Sequence, residues 1–245
     1  MYVTFSQLGS MGRLGNQMFQ IASTIGISKK NGSNPVFPKW LYSRHFSNPI
    51  KESNIGGINF SKYHERSFNF SEVRITSNTD LIGYFQSEKY FYECRTEIKN
   101  TFEFLPELTD TRLSDFCSIH IRRTDYLKFS DYHPFPGMDY YKASIERVKK
   151  RDIQKFLIFS DDIEWCKENF KGEEFSFSEG LDEIHDMARM SSCGHNIIAN
   201  SSFSWWGAWL NKNPQKIVIS PSRWFGPAKR NVITKDLYCE DWIII

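Results

Sequence analysis

The fold is decided by the stretch Ser118-Ile119-His120-Ile121-Arg122-Arg123-Thr124-Asp125, in which an apolar strand predicted over residues 116–121 leads into charged residues. Ligands of open α/β sheets bind beyond the carboxyl ends of the strands. The planar, permanently charged fork of arginine matches the oxygens of a phosphate. We therefore predict an anion site here, with a diphosphate as the first candidate ligand. The alternative is a surface ion pair between Arg123 and Asp125 beside a core histidine, His120.

Strand-like and helix-like segments alternate from this stretch onward. Strands are predicted over residues 116–121, 156–159, 196–199 and 216–219, and helices over residues 140–150, 162–170, 182–190 and 202–210. Such alternation indicates βαβ units and a parallel sheet. If the strands are parallel, the polar residues that follow the first three of them converge at one edge of that sheet.

Two of these strand ends carry further candidate ligands. Asp161 or Asp162 could accept two hydrogen bonds from a guanine edge or a ribose diol, and the alternative is a helix N-cap. Ser201 and Ser202 open a predicted helix, so that hydroxyls, free backbone N–H groups and the positive end of the helix dipole would point at an anion. The alternative for the two serines is again a cap alone. Three tryptophans in that helix are predicted to pack into the core, namely Trp205, Trp206 and Trp209.

The chain begins with a predicted strand over residues 3–5, a glycine loop and a helix. An apolar stripe at i, i+3, i+4 and i+7 marks the helix, made by Met18, Ile21, Ala22 and Ile25. The pair Asn31-Gly32 signals its end. Gly12 and Gly15 permit close backbone approach to a ligand, and Arg13 and Asn16 supply donors beside them. We predict no elements for residues 33–80.

Composition excludes several classes of protein. The 245 residues carry 31 Lys and Arg against 29 Asp and Glu, and a net charge of +2 argues against a nucleic-acid binder. The five cysteines are widely spaced without a C-x-x-C pair, so neither a disulfide framework nor a zinc site is indicated. No signal-like start or membrane-length apolar run is present. We therefore expect a cytoplasmic protein without an integral membrane segment.

The length suits one large domain or two compact ones, and we predict a boundary near residue 115, giving domains 1–115 and 116–245. The C-terminal tail could return to the first of them. No D-x-D pair occurs, so the acidic metal clamp of many nucleotide-sugar enzymes is missing. We expect a reaction that needs no metal or other cofactor, although two carboxylates distant in sequence could still hold Mg²⁺.

Four segments together resemble a known family. They are Gly12-Arg13-Leu14-Gly15-Asn16-Gln17-Met18-Phe19-Gln20, Gly83-Tyr84-Phe85-Gln86-Ser87-Glu88-Lys89-Tyr90-Phe91, His120-Ile121-Arg122-Arg123-Thr124-Asp125, and Ala199-Asn200-Ser201-Ser202-Phe203-Ser204-Trp205-Trp206-Gly207-Ala208-Trp209-Leu210. In this order they resemble the family 11 glycosyltransferases, the α-1,2-fucosyltransferases that use GDP-fucose. The chain is shorter than typical members, with the missing material in the N-terminal lobe and around residues 125–139.

The resemblance implies an α/β, GT-B-like fold of two Rossmann-like lobes with the active site in the cleft. Residues 1–115 would form the acceptor-side lobe and residues 116–245 the lobe that binds the GDP-sugar. The predicted donor-binding residues are Arg13, His120, Arg122, Arg123, Asp161, Asp162, Ser201, Ser202 and Ser204. Among them, the resemblance makes Arg122 the phosphate ligand, puts His120 near the guanosine, and matches Asp162, or else Asp161, to the acid that reads guanine. The predicted catalytic residues are Arg122, Asp125 and Asn16.

The implied reaction transfers L-fucose from GDP-β-L-fucose to the 2-hydroxyl of a terminal galactoside, with inversion to an α-linkage. The partners are thus GDP-fucose and a galactoside. Asp125 is the first candidate for the general base, although an ion pair with Arg123 would make it a poor one. Glu88, Asp131, His133 and the leaving phosphate stay open as proton acceptors. Alternative functions are another linkage or GDP-sugar, an inactive GDP-sugar or glycan binding module, and a nucleotide-binding regulatory domain.

Overall fold

Parallel strands make both sheets of the structure, a computed structural model that describes residues 1–245. The chain divides into two units. The first consists of Met1–Leu105 and Val232–Cys239, and the second of Pro106–Asn231 and Glu240–Ile245. The assignment of an acceptor role to the first unit and a donor role to the second stays a prediction.

The first unit holds a four-stranded sheet. Its strands are β1 (Tyr2–Thr4), β2 (Asn34–Val36), β3 (Ser61–His64) and β4 (Thr79–Ile82), in the order β2-β1-β4-β3, and all pairs are parallel. Its helices are α1 (Leu14–Lys30) and α2 (Arg95–Thr101), with 3₁₀ turns at Leu41–His45, Glu88–Tyr90 and Tyr92–Cys94. The predicted first helix is confirmed and ends as expected, with Asn31 as its C-cap. Three of the four strands lie outside the predicted elements.

Helix α1 is buried along most of its length, and its backbone packs directly on the segment after β4. A Cβ atom on Gly26 would lie 2.1 Å from the carbonyl oxygen of Tyr90 and 2.7 Å from Cα of Phe91. A side chain at this position would therefore force helix and segment apart. The contact fixes the segment that begins with Gly83 against the helix that begins with Leu14.

The second unit is built on a six-stranded parallel sheet. Its strands are β5 (Phe116–Ile121), β6 (Lys155–Ser160), β7 (Phe175–Phe177), β8 (His195–Ile197), β9 (Val218–Ser220) and β10 (Ile243–Ile244), in the order β10-β9-β8-β5-β6-β7. Its helices are α3 (Thr124–Lys128), α4 (Met138–Lys149), α5 (Ile163–Asn169), α6 (Glu183–Ser192) and α7 (Ser202–Leu210), with 3₁₀ turns at Pro106–Leu108, Thr111–Asp115 and Pro227–Lys229. The predicted elements of this half are confirmed to within about two residues at their ends.

The strand order is that of a Rossmann sheet in which β5 is the first strand. The chain adds β6 and β7 on one side, then crosses to the other side for β8, β9 and β10. The strand order therefore reverses between β5 and β8, and ligands of such sheets bind in the crevice outside the carboxyl ends at this switch point. The residues after β5 and β8 are the charged stretch and the serines singled out in the sequence.

The predicted core role of the tryptophans of α7 is confirmed. Trp205, Trp206 and Trp209 are all at most 2% exposed, and Trp242 packs its ring 5.4 Å from that of Trp205. Burying four indoles removes a large apolar area from water and holds α7 rigidly against the sheet. The N-terminus of α7 therefore has a fixed position beside the end of β8.

All five cysteines are buried and free, and none of the helices has the length and apolar character of a membrane span.

Candidate functional site

The ends of β5, β6 and β8 come together, as predicted. Asp161, which follows β6, accepts hydrogen bonds from the backbone N–H of Arg123 at 2.8 Å and of Thr124 at 3.3 Å, and from the Thr124 hydroxyl. The Tyr126 hydroxyl donates to the carbonyl oxygen of Asn200, after β8, at 2.9 Å. Asp161 thus caps the short helix α3 and connects the ends of β5 and β6. Tyr126 connects the segment after β5 to the end of β8.

Arg122 is held between two carboxylates. Its Nε and Nη2 donate to Oδ1 and Oδ2 of Asp125, both at 2.8 Å, and its Nε lies 3.2 Å from Oδ2 of Asp161. Burial works against the charged form of Arg122, but the hydrogen bond to Asp125 and the charge of Asp161 outweigh it and raise its pKa above the ordinary value. The site therefore keeps a fully charged, oriented guanidinium at the end of β5.

The alternative considered from the sequence, an ion pair between Arg123 and Asp125, is wrong. Helix α3 begins at Thr124, so Asp125 lies three residues from Arg122 on the side to which Arg122 points. Arg123 instead donates from Nε to Oδ2 of Asp162 at 3.0 Å, and its guanidinium carbon lies 4.0 Å from the ring centre of Trp165. Successive residues at the end of a strand point to opposite faces, which separates the two arginines.

Asp162 occupies the N-cap position of α5 but makes no capping hydrogen bond with its side chain, so the cap interpretation does not explain it. Its carboxylate lies against Arg123 and is 30% exposed. Trp165 lies three residues further along α5, on the same face as Asp162. Trp165 is not among the candidate site residues predicted from the sequence. Its position three residues after Asp162, on the same helix face, is the signal that could have indicated it.

His120 is the last but one residue of β5 and is 4% exposed. Burial, and next the positive charge of Arg122, lower its pKa to about 3. The imidazole is therefore neutral near pH 7. Its Nδ1 is buried without a hydrogen-bond partner, as is Oδ1 of Asn200 at the end of β8. Buried polar atoms are rarely left unpaired, so two at the switch point fit a site that a ligand completes.

The turn before α7 is held by its serines. Ser201 is the N-cap and accepts from the N–H of Phe203, and Ser202 is the first residue of the helix. Ser204 is fully buried, and its hydroxyl donates to the carbonyl oxygens of Ser201 and Ala199, at 3.3 and 3.5 Å. Ser204 thus closes the turn on itself, whereas Ser201 and Ser202 are partly exposed at the helix start.

The remaining predicted residues lie in the first unit, around the start of α1. Arg13 is exposed at the N-cap position, and Oδ1 of Asn16 accepts from Nε2 of Gln86 at 2.7 Å. Gly12 has φ +77°, and a Cβ there would lie 2.6 Å from the Asn16 side chain. The first two family-like segments therefore meet through Asn16 and Gln86.

The other candidate proton acceptors are placed differently. Glu88 is buried, 3.6 Å from Nε of Arg95, and Asp131 is exposed. The ring of His133 stacks 5.2 Å from that of Tyr126, and burial lowers the pKa of His133. The sequence reasoning also missed Glu65, a half-buried carboxylate in the region without predicted elements.

The chain is similar in sequence to known glycosyltransferases. The family model described as glycosyl transferase family 11 matches residues 43–245. An α-1,2-colitosyltransferase of Escherichia coli is 38% identical over 185 residues, which cover 69% of this chain and 63% of that protein. Galactoside α-(1,2)-fucosyltransferase 2 of Oryctolagus cuniculus is 24% identical over 234 residues, which cover 83% of this chain and 66% of that protein. The chain thus spans about two thirds of the length of these relatives.

Solved structures support the fold alone. NodZ α-1,6-fucosyltransferase, in crystals soaked with GDP-fucose, superposes with a TM-score of 0.52 at 12% identity, covering 89% of this chain and 94% of that chain; the NodZ protein is from Bradyrhizobium. Apo POFUT1 superposes with a TM-score of 0.55 at 12% identity, covering 89% and 97%. The predicted α/β, GT-B-like fold class is confirmed. With the match of its family model over most of the sequence, the chain belongs to glycosyltransferase family 11.

Proposed function

We propose that the chain is an inverting glycosyltransferase that moves L-fucose from GDP-β-L-fucose to the 2-hydroxyl of a terminal galactoside. The observation that carries the proposal is Arg122, which is oriented by Asp125 and Asp161 at the switch point of a Rossmann-ordered sheet. Membership of family 11 and the α-1,2 linkage in the names of the relatives support the reaction type.

In this proposal the diphosphate lies at the switch point between β5 and β8. Arg122 would bind its oxygens with a two-donor fork, and the start of α7 at Ser201 and Ser202 would add backbone N–H groups and the helix dipole. These fixed positive groups would stabilise the charge that develops on the departing GDP. We propose on this basis that the reaction needs no metal, and treatment with EDTA tests that part separately.

The guanine would be recognised on the opposite side of β5. Asp162 offers carboxylate oxygens to a guanine edge, and Arg123, stacked on Trp165, keeps that carboxylate oriented. His120, buried and neutral with an unpaired ring nitrogen, lies on the other side, with its ring 5.3 Å from that of Phe203 in α7. Asp161 is engaged with the N-terminus of α3, so Asp162 is the better of the two candidates.

The chemistry would be a single displacement in which the galactoside hydroxyl attacks the anomeric carbon as GDP leaves, which inverts the configuration. Asp125 occupies the edge of Arg122 that a phosphate would take. We propose that the phosphate replaces Asp125 on that edge and so frees the carboxylate to accept the proton of the hydroxyl. Asn16 and Arg13 are the proposed contributors of the first unit.

One observation favours a second candidate donor. The identity to the α-1,2-colitosyltransferase is 38%, against 24% to the galactoside fucosyltransferase. A GDP-colitose donor in the same site would use the same contacts to the phosphate and the base, and would differ only where the sugar is held.

The proposal also includes a cytoplasmic location, for which the five free, buried cysteines are the supporting observation.

The test measures GDP release from purified protein with GDP-fucose, with and without a panel of β-galactosides, in parallel buffers that contain either EDTA or Mg²⁺. GDP-mannose is the control donor, and GDP-colitose is a second donor arm. Galactoside-dependent release with GDP-fucose, and a product whose new linkage is α-1,2, would support the proposal. Release with GDP-colitose alone would move the donor assignment to the second candidate. Donor binding without release for any acceptor would contradict transferase activity and favour a binding module.

A further inference from the structure

Glu65 holds the turn that follows β4 by two backbone hydrogen bonds. The N–H of Tyr84 donates to its Oε2 at 2.7 Å, and the N–H of Phe85 donates to its Oε1 at 2.9 Å. Glu65 follows β3, the edge strand beside β4, so the carboxylate crosses from one strand end to the next. Each of its oxygens has a defined donor in the turn.

The turn adopts a backbone conformation that needs such support. Gly83 has φ +152°, and a Cβ there would lie 2.4 Å from Cβ and 2.6 Å from Oε2 of Glu65. Phe85 has φ +49°, in the left-handed region that a bulky residue rarely adopts. Strained residues persist where the surrounding structure over-determines them, and they cluster at functional sites.

The turn is connected to the motif at the start of α1. Phe85 is fully buried, and its carbonyl oxygen accepts from the Ser23 hydroxyl of α1 at 3.0 Å. The next residue, Gln86, is buried and donates from Nε2 to Oδ1 of Asn16 at 2.7 Å. The position of Gln86, and through it the orientation of the Asn16 amide, therefore depends on the turn that Glu65 holds.

We propose that Glu65 is a positioning residue, whose carboxylate fixes the 83–85 turn and thereby orients Gln86 and Asn16. This inference rests on the proposed function in one respect, because that function makes Asn16 a contributor to transfer. The structural part, that the carboxylate fixes the turn, stands independently of any activity.

The same contacts make the turn sensitive to pH. Burial raises the pKa of Glu65 to about 7, although the N–H groups of Tyr84 and Phe85 oppose the shift. Protonation would turn one carboxylate oxygen of Glu65 into a hydroxyl. That hydroxyl would face a backbone N–H donor, which weakens one of the two hydrogen bonds that hold the turn. The titratable and charged groups around Glu65 are Tyr63 of β3, Tyr90 after β4, and the neighbouring His64 and Arg66, whose guanidinium lies over the Tyr63 ring.

The first experiment measures backbone hydrogen exchange of peptides covering residues 83–91, corrected for the intrinsic pH dependence of exchange. In the wild-type chain, we expect protection to fall as pH drops from 8 to 6. Glu65→Gln and Gly83→Ala should both show faster exchange at pH 8, roughly 10-fold or more. The matched control is Glu72→Gln, an exposed carboxylate of the same unit that pairs with Lys30. Wild-type protection that is independent of pH, or unchanged protection in Glu65→Gln, would overturn the proposal.

The second experiment measures kcat against pH with the donor and acceptor that the wild-type enzyme uses. We expect a wild-type acid limb with an apparent pKa near 7, and in Glu65→Gln the loss of that limb and a drop in kcat of roughly 10- to 100-fold at pH 8. Loss of kcat with the limb unchanged would contradict the positioning role. If the wild-type chain shows no transfer, the proposed function fails, and the exchange experiment still decides whether Glu65 fixes the turn. Should Glu65→Gln not fold, the wild-type exchange series and Gly83→Ala carry the test.

Discussion

Arg122 and Asp125 form an ion pair with two parallel hydrogen bonds, from Nε and Nη2 of the arginine to the two carboxylate oxygens, both 2.8 Å long. A phosphate presents two oxygens to arginine with the same spacing. The carboxylate is 40% exposed, whereas the guanidinium is 19% exposed. Asp125 therefore occupies, from the solvent side, the position that a phosphate would take on a largely buried arginine.

Removal of the guanidinium should nearly abolish transfer. We expect Arg122→Ala to lower kcat by roughly 100- to 1000-fold, because one preorganised donor to the leaving group is lost. The matched control is Arg112→Ala, which removes an exposed arginine of the same unit, paired with Asp110. Steady-state rates of GDP release compare the two, and an Arg122→Ala enzyme with most of its activity would refute the assignment.

Asp125→Asn separates two roles of the carboxylate. We expect GDP to bind roughly three- to tenfold more tightly, because a negative group that competes for Arg122 is gone. We expect kcat to fall by roughly 100-fold or more, because the amide cannot accept the proton. Calorimetric binding of GDP and single-turnover rates measure the two effects. Weaker GDP binding would show that the orientation of Arg122 by Asp125 matters more for binding than the competition, and an unchanged rate would exclude Asp125 as the base.

Trp165 should govern selectivity for the nucleoside. Its ring supports Arg123, which in turn contacts Asp162. We expect Trp165→Ala to weaken GDP binding by roughly 5- to 30-fold, a loss typical of a partly desolvated cation–π contact, with a smaller effect on UDP. Trp165→Phe keeps an aromatic face and should recover much of the affinity. Equal losses for GDP and UDP would show that the ring supports the fold and not base recognition.

His120 should make the chain less stable in mild acid. Its pKa in the folded chain is lowered from 6.5 to about 3, so the unfolded chain takes up the proton first. The free energy of unfolding is therefore unaffected by His120 above pH 6.5 and decreases as pH falls from 6.5 toward 3. The decrease due to this histidine is about 2 kcal/mol at pH 5. Denaturant unfolding of wild-type and His120→Asn chains at pH 7.5 and pH 5 measures this.

Tryptophan fluorescence suits that measurement, because six of the seven tryptophans lie in the second unit. The free energy of unfolding of His120→Asn should depend less on pH than that of the wild-type chain. His185→Asn, at a half-exposed histidine of the same unit, is the control. Equal pH dependence in wild-type and His120→Asn chains would contradict a neutral, buried His120.

The second unit was predictable because local pattern and tertiary environment agree there. Strand β5 and helix α7 were predicted with their observed bounds, since apolar residues at alternate positions mark β5 and a serine cap before an apolar run marks α7. Strands β2 and β3 were missed because each has only three or four residues and both are largely exposed, which leaves little periodicity to detect. Local signals are weak wherever burial does not enforce them.

The identity of the site residues was more accessible than their pairing. Arg122 and Asp162 stand out as charges at strand ends, but which arginine meets which carboxylate depends on where α3 begins. Trp165 comes to Arg123 only through the pairing of β5 with β6. Glu65 gave no signal at all, because its partners are backbone N–H groups about twenty residues away, and backbone donors are the same in every sequence.

Strand β10 completes the second sheet only after the chain has contributed Val232–Cys239 to the first unit. During synthesis, β9 therefore stays an open edge, with unpaired N–H and C=O groups, until Ile243 and Ile244 have emerged from the ribosome. Open edges of this kind invite pairing with other chains. Folding of the second unit is thus completed only when Ile243 and Ile244 pair with β9. The yield of folded protein on overproduction should therefore be more sensitive to substitutions at Ile243 than the small size of that strand would imply.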